Sequence, residues 1–234
     1  RYASFCLVTA AANPQARTHN KFSLFSVPAE TPGIEIVRNV GVGGESSAHA
    51  SHGYVRYTDV RVPADHVLGG EGQAFAIAQT RLGGGRVHHA MRTIALARKA
   101  FDMMCERAVS RQTRQGPLGD FQMTQEKIAD SWIEIEQFRL LVLRTAWKID
   151  KYHDYQKVRR DIAAVKVITP KVLHDVVIRA MQLHGSLGVS DEMPFVKMLV
   201  ASQSLAIADG PTEVHKLAVA RRTLREYEPV DTLF

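Results

Sequence analysis

Residues 205–217, LAIADGPTEVHKL, place a single carboxylate, Asp209, between an apolar run and the pair Gly210 and Pro211. Two interpretations are open. Asp, Gly and Pro often mark the end of one helix and the start of the next, which would make Asp209 a helix cap. A carboxylate behind apolar residues can also be shielded from water, which disfavours its charged form and makes it a stronger base. The stretch alone favours the cap.

The histidines do not form a metal-ligand pattern. His49 and His52 lie in a loop-like stretch, and the neighbours His88 and His89 would face different directions on a helix. A metal site needs several ligands that converge on one point, so we predict no metal. The sequence also lacks the Gly-X-Ser-X-Gly, Walker and Gly-X-Gly-X-X-Gly motifs, so acyl-serine, P-loop and Rossmann chemistry are not expected.

Composition bounds the class of protein and its partners. The 234 residues are 45% hydrophobic and 23% charged, which is typical of a globular protein. The net charge of +6 favours acidic partners, but the basic groups lack interleaved aromatic residues, so we predict no nucleic-acid binding. No apolar run is long enough to predict a membrane span. The two cysteines form no disulfide framework, which favours a reducing compartment.

The hydrophobic period changes near residue 70. Up to about residue 65, short β-branched and aromatic runs separated by Gly, Pro and Asn predict strands, and ETPGIEI predicts a turn that leads into one of them. From residue 72 the period is 3.6. We predict long helices at about 72–111, 122–151, 156–185 and 211–226, with a shorter helix at 192–208.

The predicted fold is therefore α+β, mostly α: a partial β-domain over residues 1–70, followed by an up-down four-helix bundle over residues 71–234. In the second long helix one apolar stripe is expected, made by Ile128, Trp132, Ile135, Phe138, Val142, Ala146 and Ile149. Three consecutive glycines, Gly83 to Gly85, lie inside the first predicted long helix, where glycine is unfavourable. They predict either a close approach of another backbone or a local irregularity of the helix.

Four segments carry a family resemblance when they are taken together. YVRYTDVRVPADHVLGGEGQAF leads from the predicted sheet into the bundle, and SRQTRQGPLGDFQ connects two helices. MQLHGSLGVSDEMPF ends a long helix with two glycines, and ADGPTEVH contains Asp209. In order and spacing these segments resemble the acyl-CoA dehydrogenase family over essentially the whole chain. The family's N-terminal helical domain and first strands have no counterpart in these 234 residues.

The resemblance implies a reaction and its base. Members of this family use FAD to convert an acyl-CoA thioester into a 2-enoyl-CoA, taking a proton from the α-carbon and a hydride from the β-carbon. Asp209 falls where the family usually has a catalytic Glu, so it is the expected base. The variant ADGP resembles the branch that handles longer or branched acyl chains.

The resemblance also implies binding residues and partners. Arg86, Gly210 and Arg221 match positions near the acyl-CoA. The positions that match FAD-binding residues are Arg111, Thr113, Phe121, Gln122, Gln182, Leu183, Gly185, Ser186, Pro211 and Glu213. Arg111 and Thr113 would reach the FAD of a neighbouring subunit, so a homodimer or homotetramer is expected. Electron-transfer flavoprotein or another acceptor would take the electrons. The expected location is cytoplasmic if the source is bacterial, and mitochondrial or peroxisomal if it is eukaryotic.

Several departures from the family pattern leave alternatives open. Ser186 replaces a glycine, Gly83 replaces an Asp that often contacts the CoA side, and Gly85 stands where some branches keep an alternative Glu base. An Asp base also resembles nitroalkane oxidase, which removes a proton beside a nitro group. The remaining alternative is a non-catalytic, oligomerising helical module that no longer binds FAD.

Overall fold

The computed structural model describes residues 3–230, and five strands precede the first long helix. β1 and β2 are antiparallel, and β2 also pairs with the short β5, in the order β1-β2-β5. β3 and β4 form a separate antiparallel pair with an irregularity between Ile36 and Arg38. The strand bounds are Phe5–Ala11 (β1), Phe22–Pro28 (β2), Ile34–Val40 (β3), His52–Tyr57 (β4) and Val67–Leu68 (β5).

The predicted turn before β3 depends on one glycine. Gly33 has φ +94°, and a Cβ at this position would lie 2.1 Å from the carbonyl oxygen of Thr58. The Thr58 amide in turn donates to the Gly33 carbonyl at 2.9 Å. Only glycine accommodates both the positive φ and the close approach, so this residue fixes how β3 begins beside the end of β4.

Five α-helices make up the rest of the described chain, close to the predicted bounds: Ala74–Ser110 (α1), Gln122–Tyr152 (α2), Tyr155–His184 (α3), Phe195–Ile207 (α4) and Thr212–Leu224 (α5). A two-residue pairing, Gln112–Thr113 (β6) with Gly116–Pro117 (β7), lies between α1 and α2. The predicted α+β class, with a small sheet region before a helical bundle, is confirmed. Within residues 3–230 no helix is both long and apolar enough to cross a membrane.

The chain forms two compact units that divide within α1, between Leu82 and Gly83. The predicted domain boundary near residue 70 stays a prediction. In the second unit α3 is the central helix, packing against α2, α4 and α5. Its apolar side chains supply much of the core, including Val158, Val165, Leu173 and Val176, all at 0% exposure.

The face that α2 turns to this core is mostly as predicted. Ile135, Phe138 and Val142 are buried, but Trp132 is 53% exposed. Successive helical residues are about 100° apart, which places Trp132 at the edge of the predicted stripe, beside Leu143 rather than Ile135. A second apolar face therefore points outward. This outer apolar face of α2 consists of side chains that are between 45% and 59% exposed: Trp132, Ile133, Leu140, Leu143 and Trp147.

A side chain, rather than another backbone segment, packs against the glycines of α1. The helix continues through Gly83 to Gly85. A Cβ on Gly83 would lie 3.0 Å from the ring of Tyr155, and one on Gly84 would lie 3.4 Å from the Tyr155 hydroxyl. The absence of side chains on α1 thus makes room for the first residue of α3.

The turn that ends α3 needs two glycines for different reasons. Gly185 has φ +65° and open space around it, and its amide bonds the carbonyls of Met181 and Gln182. Gly188 is buried, and a Cβ there would lie 2.4 Å from the Met181 carbonyl oxygen and 2.9 Å from its Cα. The first glycine allows a backbone conformation, and the second allows a close approach of two backbone segments.

We expect Gly188→Ala to lower the free energy of unfolding by about 3 kcal/mol, because the new methyl group would overlap backbone atoms that cannot move independently. The matched variant Ser186→Ala changes an exposed residue of the same turn and should stay within about 0.5 kcal/mol of wild type. Urea unfolding followed by circular dichroism measures both. Equal stabilities of the two variants would show that the turn can open to accept a side chain.

Candidate functional site

The junction between α4 and α5 presents Asp209 in an uncommon backbone conformation. Asp209 has φ +57° and Gly210 has φ +106°. A left-handed conformation costs a non-glycine residue about 1–2 kcal/mol, so surrounding contacts have to hold it. α5 begins after its N-cap Pro211, and within residues 3–230 no side chain makes a cap hydrogen bond there. Asp209 therefore does not occupy the N-cap position of α5.

Two side chains hold the Asp209 carbonyl. The Arg86 guanidinium donates to it from Nε at 3.1 Å and from Nη2 at 2.9 Å. The His215 ring reaches the same oxygen with Nε2 at 3.3 Å. A Cβ on Gly210 would lie 2.9 Å from that Nε2, so a glycine at 210 is required for the His215 contact. Side chains of α1 and α5 thus both contact the main chain of the junction.

The Asp209 carboxylate is largely shielded and lies near α1. Its side chain is 14% exposed, and Oδ2 lies 3.4 Å from Nε2 of His89. The missing side chain of Gly85 leaves space beside it, because a Cβ there would stand 3.8 Å from Oδ2. The structure therefore brings the predicted residues Arg86, Asp209 and Gly210 together, as well as His89, which was not predicted.

Several cationic groups surround this carboxylate. Burial lowers the pKa of Lys166 and of Arg86. The negative charge of Asp209 offsets part of this lowering. Lys166 is 2% exposed and donates its ammonium hydrogen to the Leu205 carbonyl. Burial also lowers the pKa of His215, which keeps its imidazole neutral near pH 7. A neutral ring can donate its Nε2 hydrogen to the Asp209 carbonyl.

The segment after α1 carries four of the predicted cofactor residues. Arg111 and Thr113 are exposed, and the Thr113 hydroxyl donates to the Gly116 carbonyl at 2.8 Å within the β6–β7 turn. Phe121 is the N-cap residue of α2, and Gln122 is the exposed first residue of that helix. In this conformation Arg111 and Gln122 present their side chains to solvent, whereas Thr113 bonds within its own turn.

The remaining predicted residues lie at three places. At the end of α3, Gln182, Gly185 and Ser186 are exposed, whereas Leu183 is partly buried and packs against the core. Pro211 and Glu213 are exposed at the start of α5, next to Asp209 in the chain, and Arg221 is exposed in the last turn of α5.

The predicted site residues lie in two groups within the second unit. The first half of α2 lies beside the end of α3, since Glu134 binds Arg179 through two bonds of 2.9 and 3.0 Å and Glu126 lines a pocket with Gln182. The groups at 111–122 and 182–186 therefore share one end of the bundle. The group around Asp209 lies toward the opposite end of α3, whose 30 residues span about 45 Å.

Three neighbours of Asp209 were missed by sequence reasoning. His89 stands three residues after Arg86 and therefore shares its helix face, which is a signal that spacing could have given. Lys166 is a lone cation in the apolar run IAAVKVIT, which indicates a buried cation with a specific partner. Nothing local in the sequence marks His215. No cluster of possible metal ligands occurs among the residues that the structure describes.

Comparisons with known proteins bear on this arrangement. The sequence profile of the acyl-CoA dehydrogenase C-terminal domain matches residues 72–224. The chain is 42% identical over 218 residues to the FadE2 protein of Mycobacterium tuberculosis, covering 93% of this chain and 53% of that protein. It is 40% identical over 215 residues to acyl-CoA dehydrogenase family member 11 of Mus musculus, covering 92% of this chain and 28% of that protein.

A solved structure agrees with the sequence comparisons. Butyryl-CoA dehydrogenase of Megasphaera elsdenii matches with a TM-score of 0.84 and 28% identity, over 95% of this chain and 57% of that chain. The chain thus spans about half the length of FadE2 and of the butyryl-CoA dehydrogenase chain. This chain belongs to the acyl-CoA dehydrogenase family, and residues 72–224 are its match to the C-terminal domain of that family.

Proposed function

We propose that the protein to which this chain belongs dehydrogenates an acyl-CoA thioester to a 2-enoyl-CoA, with Asp209 as the base that takes the α-proton. The observation that carries the proposal is the shielded Asp209 carboxylate, 14% exposed, on a backbone fixed by Arg86 and His215. A base held in one place avoids the entropic cost of finding its proton.

The proposal also assigns activation of the α-proton to groups of this chain. The backbone N–H of Asp209 or Gly210 is the proposed donor to the thioester carbonyl, which would stabilise negative charge as the proton leaves. Asp is shorter than Glu by one methylene, about 1.5 Å, so the α-carbon must come closer to the backbone than it would with a Glu base. Arg86 and Arg221 remain the proposed substrate contacts. Because Arg86 binds the Asp209 carbonyl, its proposed role includes holding that loop.

FAD is the proposed cofactor, and the donors at the 111–122 and 182–186 end of the bundle suit it. Arg111 and Gln122 present exposed hydrogen-bond donors, and a guanidinium matches phosphate oxygens with two parallel bonds. Thr113, Phe121, Gln182, Leu183, Gly185 and Ser186 complete this proposed set, with Pro211 and Glu213 near Asp209. When bound, FAD supplies a hydride acceptor for the β-carbon. The proposed electron acceptor beyond it is electron-transfer flavoprotein or a similar protein.

We also propose a homodimer or homotetramer. The outer apolar face of α2 exposes two tryptophans and three aliphatic side chains on one helix side. Exposed apolar patches of this kind commonly mark interfaces between proteins. A second copy is the proposed occupant, because the predicted cofactor residues 111–122 lie far along the bundle from Asp209 and would serve the site of a neighbouring subunit.

Asp209→Asn in the full-length protein should leave the absorption spectrum of bound flavin unchanged and slow its bleaching by acyl-CoA about 10²- to 10⁴-fold, because the amide cannot accept the α-proton. Anaerobic stopped-flow absorbance measures this rate. The control Asp191→Asn alters an exposed carboxylate elsewhere in the unit and should bleach at the wild-type rate. If Asp209→Asn bleached at the wild-type rate, Asp209 would not be the base. If the wild-type protein formed peroxide from nitroalkanes and did not respond to acyl-CoA, it would be a nitroalkane oxidase instead.

Arg111→Gln should weaken FAD binding about 10-fold or more, because a charge-assisted bond to phosphate is lost. Fluorescence of flavin released during dialysis measures the retained cofactor. Arg92→Gln removes an exposed arginine of α1 that no part of the proposed site uses, and it should retain FAD as wild type does. Equal retention by both variants contradicts the assignment of Arg111.

The double variant Leu140→Glu with Trp147→Glu should lower the oligomeric mass, since two carboxylates would have to be buried in the proposed interface. Light scattering after size-exclusion chromatography gives the mass. The control Val230→Glu changes a residue that is 80% exposed beyond α5 and should leave the mass unchanged. A wild-type monomer, or an unaltered mass in the double variant, argues against this face as the interface.

A further inference from the structure

His89 is a side chain near the proposed base to which neither the family pattern nor the proposed reaction gives a role. Its Nε2 lies 3.4 Å from Oδ2 of Asp209, so this residue of α1 faces the carboxylate. His89 stands three residues after Arg86, so one face of α1 carries both the group that holds the Asp209 backbone and a group that faces its side chain.

From this geometry we propose that His89 is a positioning residue for Asp209, which fixes the orientation of the carboxylate in the ligand-free and substrate-bound protein. The expected effect of His89 on catalysis rests on the proposed function. Its expected effect on the orientation of the carboxylate rests on the contact alone. The proton from the α-carbon goes to Asp209. His89 keeps its own hydrogen and exchanges none with the substrate.

The distance suits a contact that tightens on binding. A separation of 3.4 Å is longer than the usual 2.7–3.2 Å of an N–H···O hydrogen bond. Catalytic hydrogen bonds are often long in ligand-free proteins and shorten in the substrate complex. The His89 side chain is 37% exposed and the Asp209 side chain 14%, so the histidine lies on the solvent side of the pair, where arriving substrate would displace water.

The other charged groups at the site also hydrogen-bond to main-chain oxygens. Arg86 on α1 and His215 on α5 bind the Asp209 carbonyl, and Lys166 on α3 binds the Leu205 carbonyl. Burial lowers the pKa of Lys166 and of Arg86, and the negative charge of Asp209 opposes that lowering. Their bonds to carbonyl oxygens fix the main chain. His89 is placed to fix rotation of the carboxylate about its side-chain bonds.

The test compares His89→Leu, His89→Gln and the control His88→Leu in the full-length, FAD-loaded protein. Flavin bleaching is driven by butyryl-CoA and by longer straight-chain acyl-CoA esters, and the ester that bleaches wild type fastest is used. We expect His89→Leu to slow bleaching about 10- to 100-fold, because a small misplacement of the base is costly. The half-saturating ester concentration should change less than about 3-fold, since the contact serves orientation rather than binding.

His89→Gln should recover the rate to within about 3-fold of wild type, because its amide offers an N–H donor to the carboxylate. His88→Leu alters the exposed neighbour on another face of α1 and should match wild type. Three results would each overturn the proposal. His89→Leu could bleach at the wild-type rate, or it could change only the half-saturating ester concentration. His89→Gln could also lose as much rate as His89→Leu.

A second measurement needs no turnover. Thermal unfolding is compared among wild type, His89→Leu, Asp209→Asn and the double variant, which forms a double-mutant cycle. We expect His89→Leu to lower Tm in the Asp209 protein and to leave it unchanged in the Asp209→Asn protein. Additive effects would show that the two side chains do not interact. If no acyl-CoA bleaches wild type, the proposed function fails, and this cycle still decides whether His89 holds Asp209.

Discussion

The left-handed backbone at Asp209 is the constraint on which the candidate site depends. A non-glycine residue adopts φ +57° only where its surroundings hold it, at a cost of about 1–2 kcal/mol. Arg86 and His215 supply that hold through the carbonyl oxygen, and Gly210 makes room for the imidazole. With the main chain fixed in this way, the side chain leaves the junction toward α1 instead of toward the N-terminus of α5.

The C-terminus of α4 determines where this constrained residue stands. Carbonyls in the last turn of a helix lack partners inside the helix and need them from elsewhere. Lys166 of α3 donates to Leu205, and the Thr212 hydroxyl of α5 donates to Ala206 at 3.3 Å. The amide of Ala208 donates to Ser204 at 2.9 Å. Groups that satisfy the helix end therefore also lock it against two neighbouring helices, which places the next residue, Asp209, at a defined point.

Much of the helical architecture could be predicted because it depends on local pattern. A period of 3.6 and breaks at Gly and Pro predicted five helices, and Asp209 was singled out by its place after an apolar run. The contacts of the site could not be predicted in this way. Arg86 and Asp209 are separated by 123 residues, and only the packing of α1, α3 and α5 brings them together. Trp132 shows a related limit: spacing places it between the two apolar faces of α2, but only the packed structure shows that its side chain is exposed.

The length of α3 explains why the predicted residues form two groups. A helix of 30 residues extends about 45 Å, and different parts of α2 pack along its length: Lys148 against Asp161, and Glu134 against Arg179. The segments 111–122 and 182–186 lie toward the Arg179 end of α3, whereas Lys166, which binds the Leu205 carbonyl near Asp209, lies nearer the other end. In the function proposed above, Arg111 and Asp209 therefore serve different copies of the site. That separation along the bundle is the reason why the proposed assembly takes the base from one subunit and the arginine from its neighbour.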